Sequence, residues 1–187
     1  MRVSSGIEGL LKAYAHHVQL PWDRSISGAE KVWLAIYPPT MQNERRLRFE
    51  LDEFSIATIN AGHTWKLIDL TNAFEEWLGS HEYRESYFAM PDALEPALEE
   101  FGEHVCALVE RELTAEDVDE GTVVGLLGVG SLFGFYRVSR LIEAVSPSVR
   151  GRLLVFFPGE RQGHNYRLLD ARDGWNYLAV PIFSAEG

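Results

Sequence analysis

Apolar residues recur along the chain in two rhythms, one with helical period and one continuous over five or six positions. Ile7, Leu10, Leu11 and Tyr14 share a face of a helix expected over residues 3–18, which Leu20-Pro21-Trp22-Asp23 ends. Val32-Trp33-Leu34-Ala35-Ile36-Tyr37 then reads as a buried strand, stopped by Pro38-Pro39. Helical spacing returns over residues 43–60, where Leu47, Leu51, Phe54 and Thr58 form one stripe and Ala61-Gly62 supplies the cap. A second strand follows over residues 64–70. Thr71 is placed to cap a short helix reaching Leu78, with Phe74, Trp77 and Leu78 inward.

Residues 79–92 read as a connection whose Tyr83, Tyr87 and Phe88 cover the sheet edge. The next helix is expected over residues 93–113, with Leu94, Leu98, Phe101, Val105, Leu108 and Val109 as its core stripe. Thr122-Val123-Val124-Gly125-Leu126-Leu127 is apolar throughout, as in a strand covered on both faces. A helix over residues 132–145 and a fourth strand, Arg152-Leu153-Leu154-Val155-Phe156-Phe157, come next, the strand ended by Pro158-Gly159. Tyr166-Arg167-Leu168-Leu169 and Tyr177-Leu178-Ala179-Val180 look like a short closing pair. Strands alternating with helices predict an α/β fold: a mainly parallel sheet of about four to five strands, flanked by helices on both faces. Residues 1–28 form a lead-in helix and residues 29–183 one compact unit.

Composition narrows the class. An apolar share of 46% over 187 residues suffices for one ordinary core. The lone cysteine, Cys106, lies beside a core stripe with no neighbour that would lower its pKa, so an inert thiol in a reducing cytoplasm is expected. No apolar run approaches the roughly 20 residues of a membrane span, and Met1 to Gly6 lead into mixed polar sequence rather than a signal-peptide core. A net charge of −11 repels phosphate backbones. Direct nucleic-acid binding would therefore need the basic groups Arg45, Arg46 and Arg48, or Arg137, Arg140, Arg150 and Arg152, to act together. Solvated helix faces are the preferred explanation of both groups.

Chemistry is sparse. In a parallel sheet, ligands collect beyond the carboxyl ends of the strands, which points to Tyr37-Pro38-Pro39, Asp69-Leu70-Thr71 and Gly128-Val129-Gly130-Ser131. The last has the glycines of a phosphate loop but no lysine after Gly130, and Gly134 falls one residue late for the dinucleotide pattern. A tight turn with Ser131 as N-cap is preferred. An anion or nucleotide held by Gly128, Gly130, Ser131 and Asp69 is the alternative. The six histidines (His16, His17, His63, His81, His104 and His164) form no helical metal pair, and no nucleophile elbow is present. No catalytic set, cofactor or metal is therefore assigned. His16-His17 is expected at the surface.

The tail is the most specific stretch. Leu153-Leu154-Val155-Phe156-Phe157-Pro158-Gly159-Glu160, then Gly163, Tyr166-Arg167-Leu168-Leu169 and Asn176-Tyr177, resembles the end of the BrxB family. Gly128-Val129-Gly130-Ser131-Leu132-Phe133-Gly134-Phe135-Tyr136-Arg137-Val138-Ser139 is similar to that family's middle strand and turn. Residues 30–37 and 66–70 agree more loosely. Two segments depart from it: His164-Asn165-Tyr166 stands for the family's Gln-Ser-Leu, and Leu178-Ala179-Val180 for its Arg-Ala-Phe.

The resemblance implies an accessory, non-catalytic component of a bacteriophage exclusion (BREX) system, encoded with a DNA methyltransferase, an ATPase and the phosphatase-like PglZ protein. It implies PglZ or another BREX component as partner. Arg137, Arg140, Arg167, Asn176 and Tyr177 are the expected contact residues, since Arg and Tyr are favoured interface anchors. A homo-oligomer is equally compatible with the sequence.

Overall fold

All six residues of Val32–Tyr37 (β1) and of Thr122–Leu127 (β3) are buried, so both strands lie inside a sheet covered on both faces. The computed structural model describes residues 6–162, 165–169, 171–176 and 179–184. Its strands β2 (Thr64–Asp69) and β4 (Arg152–Gln162) complete the centre, and β7 (Val180–Ile182) closes one edge. The order is β2-β3-β4-β1-β7, with every neighbouring pair on this path parallel. Val32 pairs with Leu153 and Thr64 with Thr122, which aligns the carboxyl ends of the strands at one rim.

Because side chains alternate along a strand, the sheet feeds two separate cores. Val32, Leu34, Ile36, Val124, Leu126, Val155 and Phe157 face α3 (Ala73–Ser80), α5 (Leu98–Leu113) and α6 (Val138–Val145). Trp33, Ala35, Tyr37, Val123, Leu154 and Phe156 face α1 (Ile7–Val18) and α2 (Met41–Asn60). On that side the buried Tyr14 hydroxyl and Thr58 hydroxyl lie 2.5 Å apart, tying α1 to α2. The protein is thus an α/β domain with helices on both faces.

Several boundaries differ from expectation, each for a local reason. Pro158-Gly159 does not end β4. Proline there removes only a donor, and its carbonyl still accepts from the Leu169 N–H at 2.9 Å. Beyond the rim β4 runs on as one arm of an antiparallel arrangement with β5 (Asn165–Leu168), which pairs in turn with β6 (Ala171–Asn176). The closing pair is therefore β5 with β6. The segment around Val180 instead joins β1 in parallel.

Pro96 holds residues Pro91–Ala97 in a 3₁₀ turn, so α5 begins only at Leu98. Thr71 does not cap α3. Asn72 occupies that position, and the Thr71 hydroxyl serves Asp69 and Arg48. The segment between α3 and the 3₁₀ turn contains a further helix, α4 (Arg84–Ala89), with Tyr83 and Phe88 exposed and Tyr87 packed on the core. His16 is exposed as expected, whereas His17 is only partly exposed. Its ring meets Trp33 edge-on at 4.6 Å.

Candidate partner-binding cleft

The turn after β3 is closed by its own neighbours. Gly128 adopts φ +82°, where an added Cβ would also lie 2.5 Å from the Thr71 nitrogen, so only glycine lets the ends of β2 and β3 approach this closely. A 3₁₀ turn, Val129–Leu132, follows in place of a helix start. The Ser131 hydroxyl is not an N-cap. Its single proton is shared between the carbonyls of Leu70 at 2.9 Å and Gly128 at 2.7 Å. The Ser131 N–H donates to the Gly128 carbonyl, and a Cβ on Gly130 would press Pro158 Cγ at 3.1 Å.

Asp69 completes the group. Its Oδ1 accepts from the Thr71 N–H at 2.9 Å and from the Thr71 hydroxyl, while Arg48 Nη1 stands 3.6 Å from Oδ2. The structure does bring Gly128, Gly130, Ser131 and Asp69 together. The Ser131 hydroxyl and N–H and the Asp69 carboxylate are thereby used to join strand ends to one another.

The two arginine groups also separate. Arg46 pairs with Glu50 at 2.6 Å, and Arg48 is held by Asp69 and Thr71. Arg150 donates to the carbonyls of Ala115 and Val118. Arg152 is buried, with its guanidinium donating to Gly151 and Asp23 carbonyls.

Arg137 and Arg140 lie elsewhere, in an open cleft of about 860 Å³. One wall is Glu95, Pro96, Leu98 and Glu99, and the other is the run from Phe133 to Arg140. Gly134, at φ +82°, breaks the helix expected over residues 132–145 and sends three aromatics in three directions. Phe135 turns inward and stacks on Phe74 at 4.0 Å. Tyr136 lies flat on α5 at Gly102, where a Cβ would come within 2.1 Å of the ring. Phe133 points outward and is 44% exposed.

Charge at the cleft is uneven. Arg140 makes a two-pronged bond to Glu99 at 2.6 and 2.9 Å and lies over the Tyr136 ring at 5.2 Å. That bond holds the Glu99 carboxyl below its usual pKa and raises Arg140. Burial pushes the Tyr136 hydroxyl up to about 12, helped by its contact with Cys106 Sγ at 3.7 Å. The Cys106 thiol is raised as well, chiefly by burial. Arg137 is exposed and makes no ion pair with any described residue. Among the described residues the cleft therefore offers an apolar floor, an exposed cation (Arg137) and an exposed carboxylate (Glu95) that make no ion pair, and a neutralised Arg140–Glu99 clamp.

Of the other expected contact residues, Arg167 sits on β5 next to Leu168, which lines the cleft. Arg167 faces the opposite side of that strand and stands 3.6 Å from Glu160 across the ladder. Asn176 is on β6, opposite Asn165. Tyr177 lies outside the described residues. Phe133, Tyr136 and Leu168 were missed as cleft residues. The available signal was Gly134 between two phenylalanines, a helix-breaking position inside an apolar run.

Residues 47–182 match the family model described as BREX protein BrxB. The chain belongs to the BrxB family. The match spans β2, β3, β4 and the hairpin, so both walls of the cleft lie inside the region that defines a BrxB protein. No curated protein and no solved structure matches the chain. Among the described residues no helix is long and apolar enough to cross a membrane, and no group of His, Cys, Asp and Glu could hold a metal ion.

Proposed function

We propose that this chain is a non-catalytic accessory component of a BREX phage-defence assembly, and that it docks a PglZ-type, phosphatase-like protein through the cleft. Membership of the BrxB family supports the BREX assignment. The docking surface rests on one observation: outward Phe133 and Arg137, an exposed cation without an ion pair to any described residue, line the same cleft. An aromatic anchor next to an arginine is the composition of a binding hot spot. The nearby Arg140–Glu99 clamp keeps the walls in register without using Arg137.

The test uses the full chain and the PglZ-type protein from the same system, titrated by calorimetry. Phe133→Asp and Arg137→Glu are each expected to weaken binding by about tenfold or more. Tight binding that ignores both substitutions moves the interface elsewhere. No binding to the PglZ-type protein overturns the choice of partner.

A further inference from the structure

Helix α2 carries two apolar stripes, and only one is used. Leu47, Phe54 and Thr58 face the core. On the outer side, Met41 is 74%, Phe49 84%, Ile56 46% and Ile59 59% exposed. At roughly 100° per residue, these four positions fall within about 80° of arc, on the side of the helix turned away from the core stripe. Two charged residues lie inside the same arc, Arg45 and Asp52. Both are exposed and neither makes an ion pair with any described residue, although their neighbours Arg46, Arg48 and Glu50 all do.

The order of these residues is self-complementary. A second copy of α2, turned end for end about a two-fold axis beside Phe49, sets Met41 opposite the partner's Ile56. The same rotation sets Arg45 opposite the partner's Asp52 and brings the two Phe49 rings together at the axis. The Arg45–Asp52 ion pair forms twice, once on each side, as a two-fold interface requires. No other register of the stripe gives Arg45 an acidic partner while keeping apolar residues on apolar residues.

We infer that α2 is a self-association surface, through which two copies of this chain pair by antiparallel packing of their outer faces. The surface is on the opposite side of the sheet from the cleft, so the dimer and the proposed partner docking are independent. A single helix pair covers less area than the roughly 800 Å² per partner of a standard stable interface, so a micromolar dimer is expected.

Sedimentation velocity over a series from low to several hundred micromolar tests this. The wild-type chain is expected to shift from monomer to dimer with concentration, and Phe49→Glu to remain monomeric. R45D and D52R each place like charges across both contacts and are expected to weaken the dimer by about tenfold or more. An equimolar mixture of R45D and D52R restores both attractions and is expected to form a heterodimer stronger than either variant alone. Circular dichroism should show all three folded, because none of these side chains enters the core. A chain monomeric at every concentration, a dimer indifferent to F49E, or a mixture that associates no better than its components would overturn the inference.

Discussion

The imidazole of His63 lies flat on the indole of Trp22, with ring centroids 3.6 Å apart and planes 7° from parallel. The buried Arg152 guanidinium stands over the same indole at 4.7 Å. Burial lowers the His63 pKa most, a backbone hydrogen bond to Gly121 opposes it, and the Arg152 charge adds a smaller lowering. His17, on the far side of Trp33, is lowered by burial, by His16 and by Arg152. Both groups bind protons more readily in the unfolded chain. Stability is therefore whole above about pH 6.5 and falls as pH drops through the depressed folded values. Thermal melts at pH 7.5 and 5.5 check the sign. Wild type should lose ground to His63→Phe at the lower pH, and a difference between the two proteins that stays constant with pH would contradict the linkage.

Arg152 is the keystone of the same cluster. Its guanidinium donates to the carbonyls of Gly151 and Asp23, both at 2.9 Å, and lies over the rings of Trp22 and Trp33. Replacement by methionine keeps most of the stem but strands two carbonyls and opens the ring cage. Arg152→Met should cost about 2–4 kcal/mol in urea unfolding with little change in m-value. A loss below about 0.5 kcal/mol would mean that the cage contributes nothing to stability.

The alternation of strands and helices was legible because β1, β3 and the start of β4 are continuous apolar runs, and few other structures bury such runs. The tail was read less well for a physical reason. Beyond Phe157 no continuous apolar run marks the strands, because in β5 only alternate residues, Tyr166 and Leu168, are buried, and proline removes a donor without forbidding extended backbone. The site was half legible. Arg137 and Arg140 lie together in the cleft, whereas Phe133 and Leu168 come to line it only because Gly134 breaks a run that reads as helix and β5 folds back across the rim. Gly128 to Ser131 has the composition of a phosphate loop, and only the position of Thr71 shows that its space is occupied.

Ser131 separates those two readings of the turn. Its hydroxyl proton is committed to the Leu70 and Gly128 carbonyls, so Ser131→Ala should lower stability by about 1 kcal/mol through loss of that bond. Nucleoside triphosphates should leave the Tm of wild type unchanged. A rise in Tm with a triphosphate that disappears in S131A would instead restore the turn as a ligand site.

Gly102 controls the floor of the cleft. The Tyr136 ring rests where a Cβ would stand, 2.1 Å from its Cε2 atom, and the ring's hydroxyl lies against Cys106. Gly102→Ala must push the ring out, because the alanine methyl belongs to a helix backbone that cannot retreat. Overpacking of this kind costs about 1–3 kcal/mol. Displacing the ring also uncovers a thiol whose pKa is raised mainly by burial. The variant should therefore combine a lower Tm with faster reaction of Cys106 with a disulfide reagent under native conditions. Tyr136→Ala provides the control, since it uncovers Cys106 without the methyl clash. If thiol reactivity rises in Y136A but not in G102A, the helix moves instead of the ring, and the cleft floor is more pliable than its packing implies.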